Sequence, residues 1–242
     1  MKKISLFELL IILNLPILGQ KLVNFTEITL NSDGKGQSIK ITVEKGEKYL
    51  HPILAIWLTT IDGKYVQTLY VSKSIAKGIY EYGKADEGKW FPGERRRPAA
   101  IPYWAFSRGI KEEDGLYIPT PKNPIADAYT GATPLNNFII NTKTDRYIKG
   151  KHKLLFEINQ PFDFNDYWYN NLYPEDSPYR TSGQPSVIYS VEIDFDNLEK
   201  EYYLNPIGHG HPTGENGKLF TNLSTLTTSM KIIKSIKVEV LP

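Results

Sequence analysis

The chain is 242 residues long and contains no cysteine, which excludes disulfides, thiolate metal sites and a lipidated N-terminal cysteine. Hydrophobic residues make up 40% and charged residues 23%, a globular composition rather than a disordered one. The net charge is only +2 and no extended basic stripe occurs, which argues against nucleic acid as a partner.

The first twenty residues read MKKISLFELLIILNLPILGQ. Lys2 and Lys3 precede an apolar run from Leu6 to Leu18, interrupted by Glu8 and Asn14, and Gly19 and Gln20 follow. A positive start, a short apolar run and a small residue are the layout of a secretory signal peptide. The run is short for a membrane span. The expected organisation is a signal peptide over 1–20 and a single β-sandwich domain over 21–242, periplasmic or otherwise extracytosolic, with no transmembrane segment in the mature chain.

Residues 24–31 (NFTEITLN) and 37–44 (QSIKITVE) alternate apolar and polar side chains around the turn signal SDGKG, which predicts a hairpin. Residues 52–60 (PILAIWLTT) are nearly all apolar, as in a strand covered on both faces. Asp62-Gly63 then turns the chain into the alternating run 64–71 (KYVQTLYV), a strong hairpin signal. Residues 77–126 hold many Gly and Pro, the run Arg95-Arg96-Arg97 and the stretch IPYWAFSRG, where a short helix is expected over 103–108. The rest reads as a long excursion, and its Trp90, Phe91, Tyr103 and Trp104 argue against disorder. Strand patterns resume at 137–142 and 151–159 (KHKLLFEIN), before a second aromatic, Pro-rich excursion over 160–185. Further strands are expected at 186–194 (SVIYSVEID) and 235–240 (SIKVEV), with a loop over 202–219 that contains HGHPTGENGK. Many short strands and little helix predict an all-β fold, an antiparallel immunoglobulin-like β-sandwich with long aromatic loops.

Three stretches, PILAIWLTTIDGKYVQTLYV, DAYTGAT and IGHGHPTGENGKLFTNLSTLTT, resemble a bacterial family of predicted periplasmic proteins, the domain of unknown function numbered twenty-two seventy-one. The resemblance covers roughly residues 45–240. It implies membership of extracytosolic redox systems that include flavin transferases and membrane redox proteins. DAYTGAT, residues 127–133, is also similar to the Asp-x-x-(Ser/Thr)-Gly-Ala-(Ser/Thr) acceptor of covalently flavinylated electron carriers. That resemblance implies Thr133 as the hydroxyl esterified by FMN, with Asp127 and Thr130 positioning the segment and Gly131 and Ala132 leaving room for close approach. A chance match in a chain this long is on the order of one in a thousand, from average residue usage.

The residue types suit that chemistry. A phosphoester needs a reachable hydroxyl, a glycine permits close backbone approach, and turn N–H groups cradle phosphate oxygens. A purely structural turn also fits the heptapeptide, and Pro134 favours an extended Thr133. Were a flavin attached, Trp104 and its aromatic neighbours would offer an apolar bed, and Arg97 within the arginine run would neutralise phosphate. His209 and His211 sit two apart, on one side of an extended segment, where both imidazoles can face one metal. The stretch PFDFNDYWYNNLYPED mixes carboxylates with aromatics, a composition suited to sugars or to a packed loop alike. The leading expectation is an FMN-bearing redox carrier that is not itself a catalyst. The alternatives are a cofactor-free periplasmic ligand-binding or assembly module, and a metal-binding protein that uses the HGH loop.

Overall fold

The computed structural model describes residues 24–241, so the signal peptide expected over 1–20 lies outside the described residues. The first strands are β1 (Phe25–Thr29), β2 (Ser38–Lys45), β3 (Ile53–Thr60) and β4 (Tyr65–Ser72). A short helix, α1 (Lys73–Lys77), leads into an exposed hairpin of β5 (Ile79–Asp86) and β6 (Lys89–Glu94). Helix α2 (Pro102–Arg108) and the two-residue strand β7 (Thr130–Gly131) follow. After them come β8 (Asn137–Lys143), β9 (Lys151–Asn159), helix α3 (Ser177–Ser182) and β10 (Val187–Asp194). The last strands are β11 (Tyr202–Tyr203), β12 (Asn205–His209) and β13 (Ile233–Leu241).

The protein is all-β and sandwich-like. One sheet has the order β1-β8-β2-β13-β11 and the other the order β12-β10-β9-β3-β4-β7. Alternation decides which side chains meet between them. In β2, Ile39, Ile41 and Val43 are buried while Lys40, Thr42 and Glu44 stay half-exposed, the period-2 signature of a one-sided strand. These residues, with Phe138, Ile140, Ile236 and Val238, meet Leu54, Ile56, Leu58, Leu154, Phe156 and Ile158 of the second sheet in the main core. Each such side chain contributes about 1.5–3 kcal/mol on burial.

The second sheet has an apolar outer face as well. Ala55 and Trp57 of β3, Leu155 of β9 and Ile188 of β10 pack there under Ile75 and Ala76 of α1, and under Ala100, Ile101, Trp104 and Ala105 at α2. The first aromatic excursion is therefore a lid over the sheet, which explains why β3 is apolar on both faces.

Three local expectations change. The runs 24–31 and 37–44 do not pair with each other. β8 lies between them, parallel to β1 and antiparallel to β2, because the SDGKG connection wraps the end of β8. Gly34 N–H closes the turn onto Asn31 O, and Lys35 N–H then donates to Asp145 O and Gly36 N–H to Thr144 O, so the turn is bonded to β8's exit. Pairing is antiparallel elsewhere in the two sheets except for β4 with β7, so the sheets are mixed. Finally, the excursion over 77–126 contains the β5–β6 hairpin, and the loop over 202–219 contains β12, paired to β10.

Candidate functional site

The DAYTGAT segment runs alongside the end of β4. Asp127 opens a single 3-10 turn, Thr130 and Gly131 form β7, and their parallel register sets Thr130 beside Val71 and Gly131 beside Ser72. Thr130 is buried, Gly131 and Thr133 are half-buried, and Asp127, Ala128 and Ala132 are exposed. Asp127, Gly131, Ala132 and Thr133 thus lie along the surface, while Thr130 is buried.

Each member has a distinct contact. Lys77 Nζ pairs with Asp127 Oδ1 at 2.8 Å and also donates to Ile125 O at 3.0 Å. The hydrogen bond from Lys77, reinforced by its charge, holds the Asp127 carboxyl below the usual range. Thr133 Oγ1 and the hydroxyl of fully buried Ser72 share a hydrogen bond of 2.7 Å, while Ser72 Oγ also accepts from Leu54 N–H at 3.0 Å. The Tyr70 hydroxyl lies 3.2 Å from both Gly131 O and Ala132 O, to which it donates. Burial raises the Tyr70 phenol well above its ordinary range, so it stays a neutral donor. A Cβ on Gly131 would lie 3.1 Å from Tyr70 Cε2, so glycine lets the backbone approach the ring. On the far side, Lys45 Nζ donates to Leu135 O at 3.3 Å, so lysines bracket the heptapeptide at both ends.

Trp104 and Arg97 lie elsewhere. Trp104 is fully buried on the outer face of the second sheet, with its indole N–H donating to Thr68 Oγ1 at 2.9 Å. Arg97 donates to Thr181 O and stacks over the Tyr80 ring at 5.7 Å. Arg96 pairs with Asp114 at 2.7 Å. The open aromatics of the first excursion include Tyr82, Trp90 and Phe91, all on the hairpin whose root at Arg95 is bonded to Gly78 at the end of α1. Sequence reasoning picked the arginine run and missed Lys45 and Lys77, because β2 and α1 reach the segment only through the fold.

His209 and His211 both pack on Phe220, at ring-centroid distances of 5.3 and 5.7 Å, but their polar edges diverge. His209 Nδ1 lies 2.8 Å from Gly210 O, while His211 Nδ1 lies 3.0 Å from Thr213 Oγ1. Burial lowers both imidazoles below their usual range. Among the described residues, no three His, Cys, Asp or Glu side chains are grouped to hold a metal ion. In the second excursion, Asp176 accepts from Tyr179 N–H to cap α3 and Asp163 accepts from the Thr228 hydroxyl, so these carboxylates serve the local fold.

Glu157 went unnoticed in the sequence. It is fully buried on β9's outer face, where Oε2 accepts from Trp104 N–H at 2.7 Å. Oε1 accepts from Tyr103 N–H at 3.1 Å and from Ser186 Oγ–H at 2.5 Å. Burial pushes this carboxyl up to about 7, against the downward pull of its three donors. The available signal was a lone carboxylate inside LLFEIN.

No family model matches this chain, and neither a curated protein nor a solved structure matches it. Among the described residues, no helix is long and apolar enough to cross a membrane.

Proposed function

We infer that this protein is an extracytosolic electron carrier whose Thr133 hydroxyl receives FMN from a flavin transferase. The observation that carries the proposal is the placement of Thr133: half-buried in a surface segment, its oxygen held by hydrogen bonding to the side chains of Ser72 and Tyr70. Hydrogen bonds of this kind contribute only about 0.5–1.5 kcal/mol each, a modest barrier to presenting the hydroxyl to an enzyme. Exposed Ala132 leaves the N-terminal side of the acceptor open, while buried Pro134, whose carbonyl accepts from the Tyr49 hydroxyl at 2.6 Å, anchors the other side.

In the transfer, Thr133 Oγ1 attacks the FMN phosphorus of FAD. The new O–P bond replaces the bond to the AMP phosphate, AMP leaves, and the hydroxyl proton passes to solvent or to a base of the transferase. The attached phosphate carries negative charge, and Lys45 and Lys77 at the two ends of the segment favour it. The protein's task is then to hold the flavin and tune it, the chemistry being the cofactor's.

Intact-mass spectrometry tests this after co-expression with a bacterial flavin transferase in the extracytosolic compartment. The chain is expected to gain the mass of one FMN ester and yellow absorbance. Thr133→Ala abolishes both and Thr133→Ser keeps them. An unmodified wild-type chain beside a flavinylated control protein refutes the proposal.

A further inference from the structure

A second site lies on the outer face of the second sheet, at the end away from the heptapeptide. Thr59 of β3, Lys153 of β9 and Glu192 of β10 stand in one cross-strand row, and Trp57, Leu155 and Ser190 form the next. Tyr103 and Ser107 of α2 wall one side and Leu219 the other, enclosing a groove of about 350 Å³. That volume lies within the range of small-molecule sites, roughly 300–1,000 Å³.

The charged groups of the groove are free of ion pairs among the described residues. Thr59 is 2% exposed, and its hydroxyl is buried without a hydrogen-bond partner among the described residues. Such an orphan costs about 1–3 kcal/mol unless something pairs with it. Ser107 Oγ accepts from Trp57 Nε1–H at 3.2 Å and so keeps its own proton to donate. Lys153 and Glu192 face each other across adjacent strands, where Cβ atoms stand about 5 Å apart. Yet among the described residues neither joins an ion pair, with the other or with anything else. Opposite charges left apart in one groove, beside the Ser107 hydroxyl, complement a ligand that brings both charges itself.

We propose that this groove binds a small zwitterion, an α-amino acid with an apolar side chain. Its carboxylate sits on Lys153 with the Ser107 hydroxyl donating, its ammonium on Glu192, and its side chain against Tyr103, Leu155 and Leu219. The site is separate from Thr133 and stands or falls independently of flavin attachment.

Isothermal titration calorimetry of the intact protein with L-leucine tests it. The controls are 3-methylbutan-1-amine, which lacks the carboxylate, and 4-methylpentanoate, which lacks the amine. Leucine is expected to give saturable heat, with each control at least tenfold weaker. Lys153→Gln and Glu192→Gln each weaken leucine at least tenfold while melting as the parent does. Ser107→Ala weakens leucine, because it removes the hydroxyl that donates to the carboxylate. Absence of saturable heat with leucine overturns the proposal, as does leucine affinity unchanged in both charge variants or matched by either control.

Discussion

Glu157 shows how one side chain joins layers that the sequence leaves separate. Its carboxylate receives the first N–H groups of α2 and the Ser186 hydroxyl, so it fastens the lid helix to β9 and β10. The same burial makes it titrate near 7 in the folded protein instead of near the ordinary 4.5. Between those values the native state holds a proton that the unfolded chain has released. Stability therefore falls as pH rises from about 4.5 to about 7 and levels off above, by on the order of 3 kcal/mol. Urea denaturation at pH 5 and pH 8 checks this: the wild type is expected to lose more stability over that interval than Glu157→Gln, and parallel losses would remove the residue from the account. At this scale the sequence displayed the heptapeptide plainly, since its chemistry is written in seven consecutive residues. It hid Glu157, whose three donors come from positions 29 and more than 50 residues away.

Elements acquire their roles from what they touch. The HGH segment suggested a metal loop, and its glycine turns out to carry the structural demand. Gly210 N–H donates to Ser186 O at 2.9 Å, and a Cβ there would stand 2.5 Å from Ser186 Oγ and 2.7 Å from Pro102 Cγ. The loop beyond β12 is thus pressed onto β10 and the start of α2 directly above Glu157. Gly210→Ala is expected to cost about 1–3 kcal/mol from overpacking, read as a lower denaturation midpoint at an unchanged slope. The β3–β4 hairpin was legible because its turn residues lie between its strands. The pairing of β1 with β8 was not, because a parallel partner more than 100 residues away leaves no local signature.

At the scale of the whole molecule, the main core and the outer layer share β3 and β9, whose alternate side chains enter the two clusters. β2 pairs with β13, so the two ends of the described chain close one sheet. This sharing predicts one cooperative transition: tryptophan fluorescence and far-ultraviolet circular dichroism should give coincident denaturation curves. Two separated transitions would mean that the lid unfolds on its own. The sequence by itself determined the strand class, most strand positions and the acceptor-like heptapeptide, because alternation, turn residues and short motifs are local properties. Only the tertiary structure decided which strands are neighbours, that Trp104 and Arg97 are interior or engaged rather than open, and that Lys77 and Lys45 bracket the heptapeptide at Asp127 and Leu135. It also decided that Thr59, Lys153 and Glu192 share one row. Those facts depend on contacts between distant segments, fixed by how buried faces fit together, and no single stretch of chain encodes them.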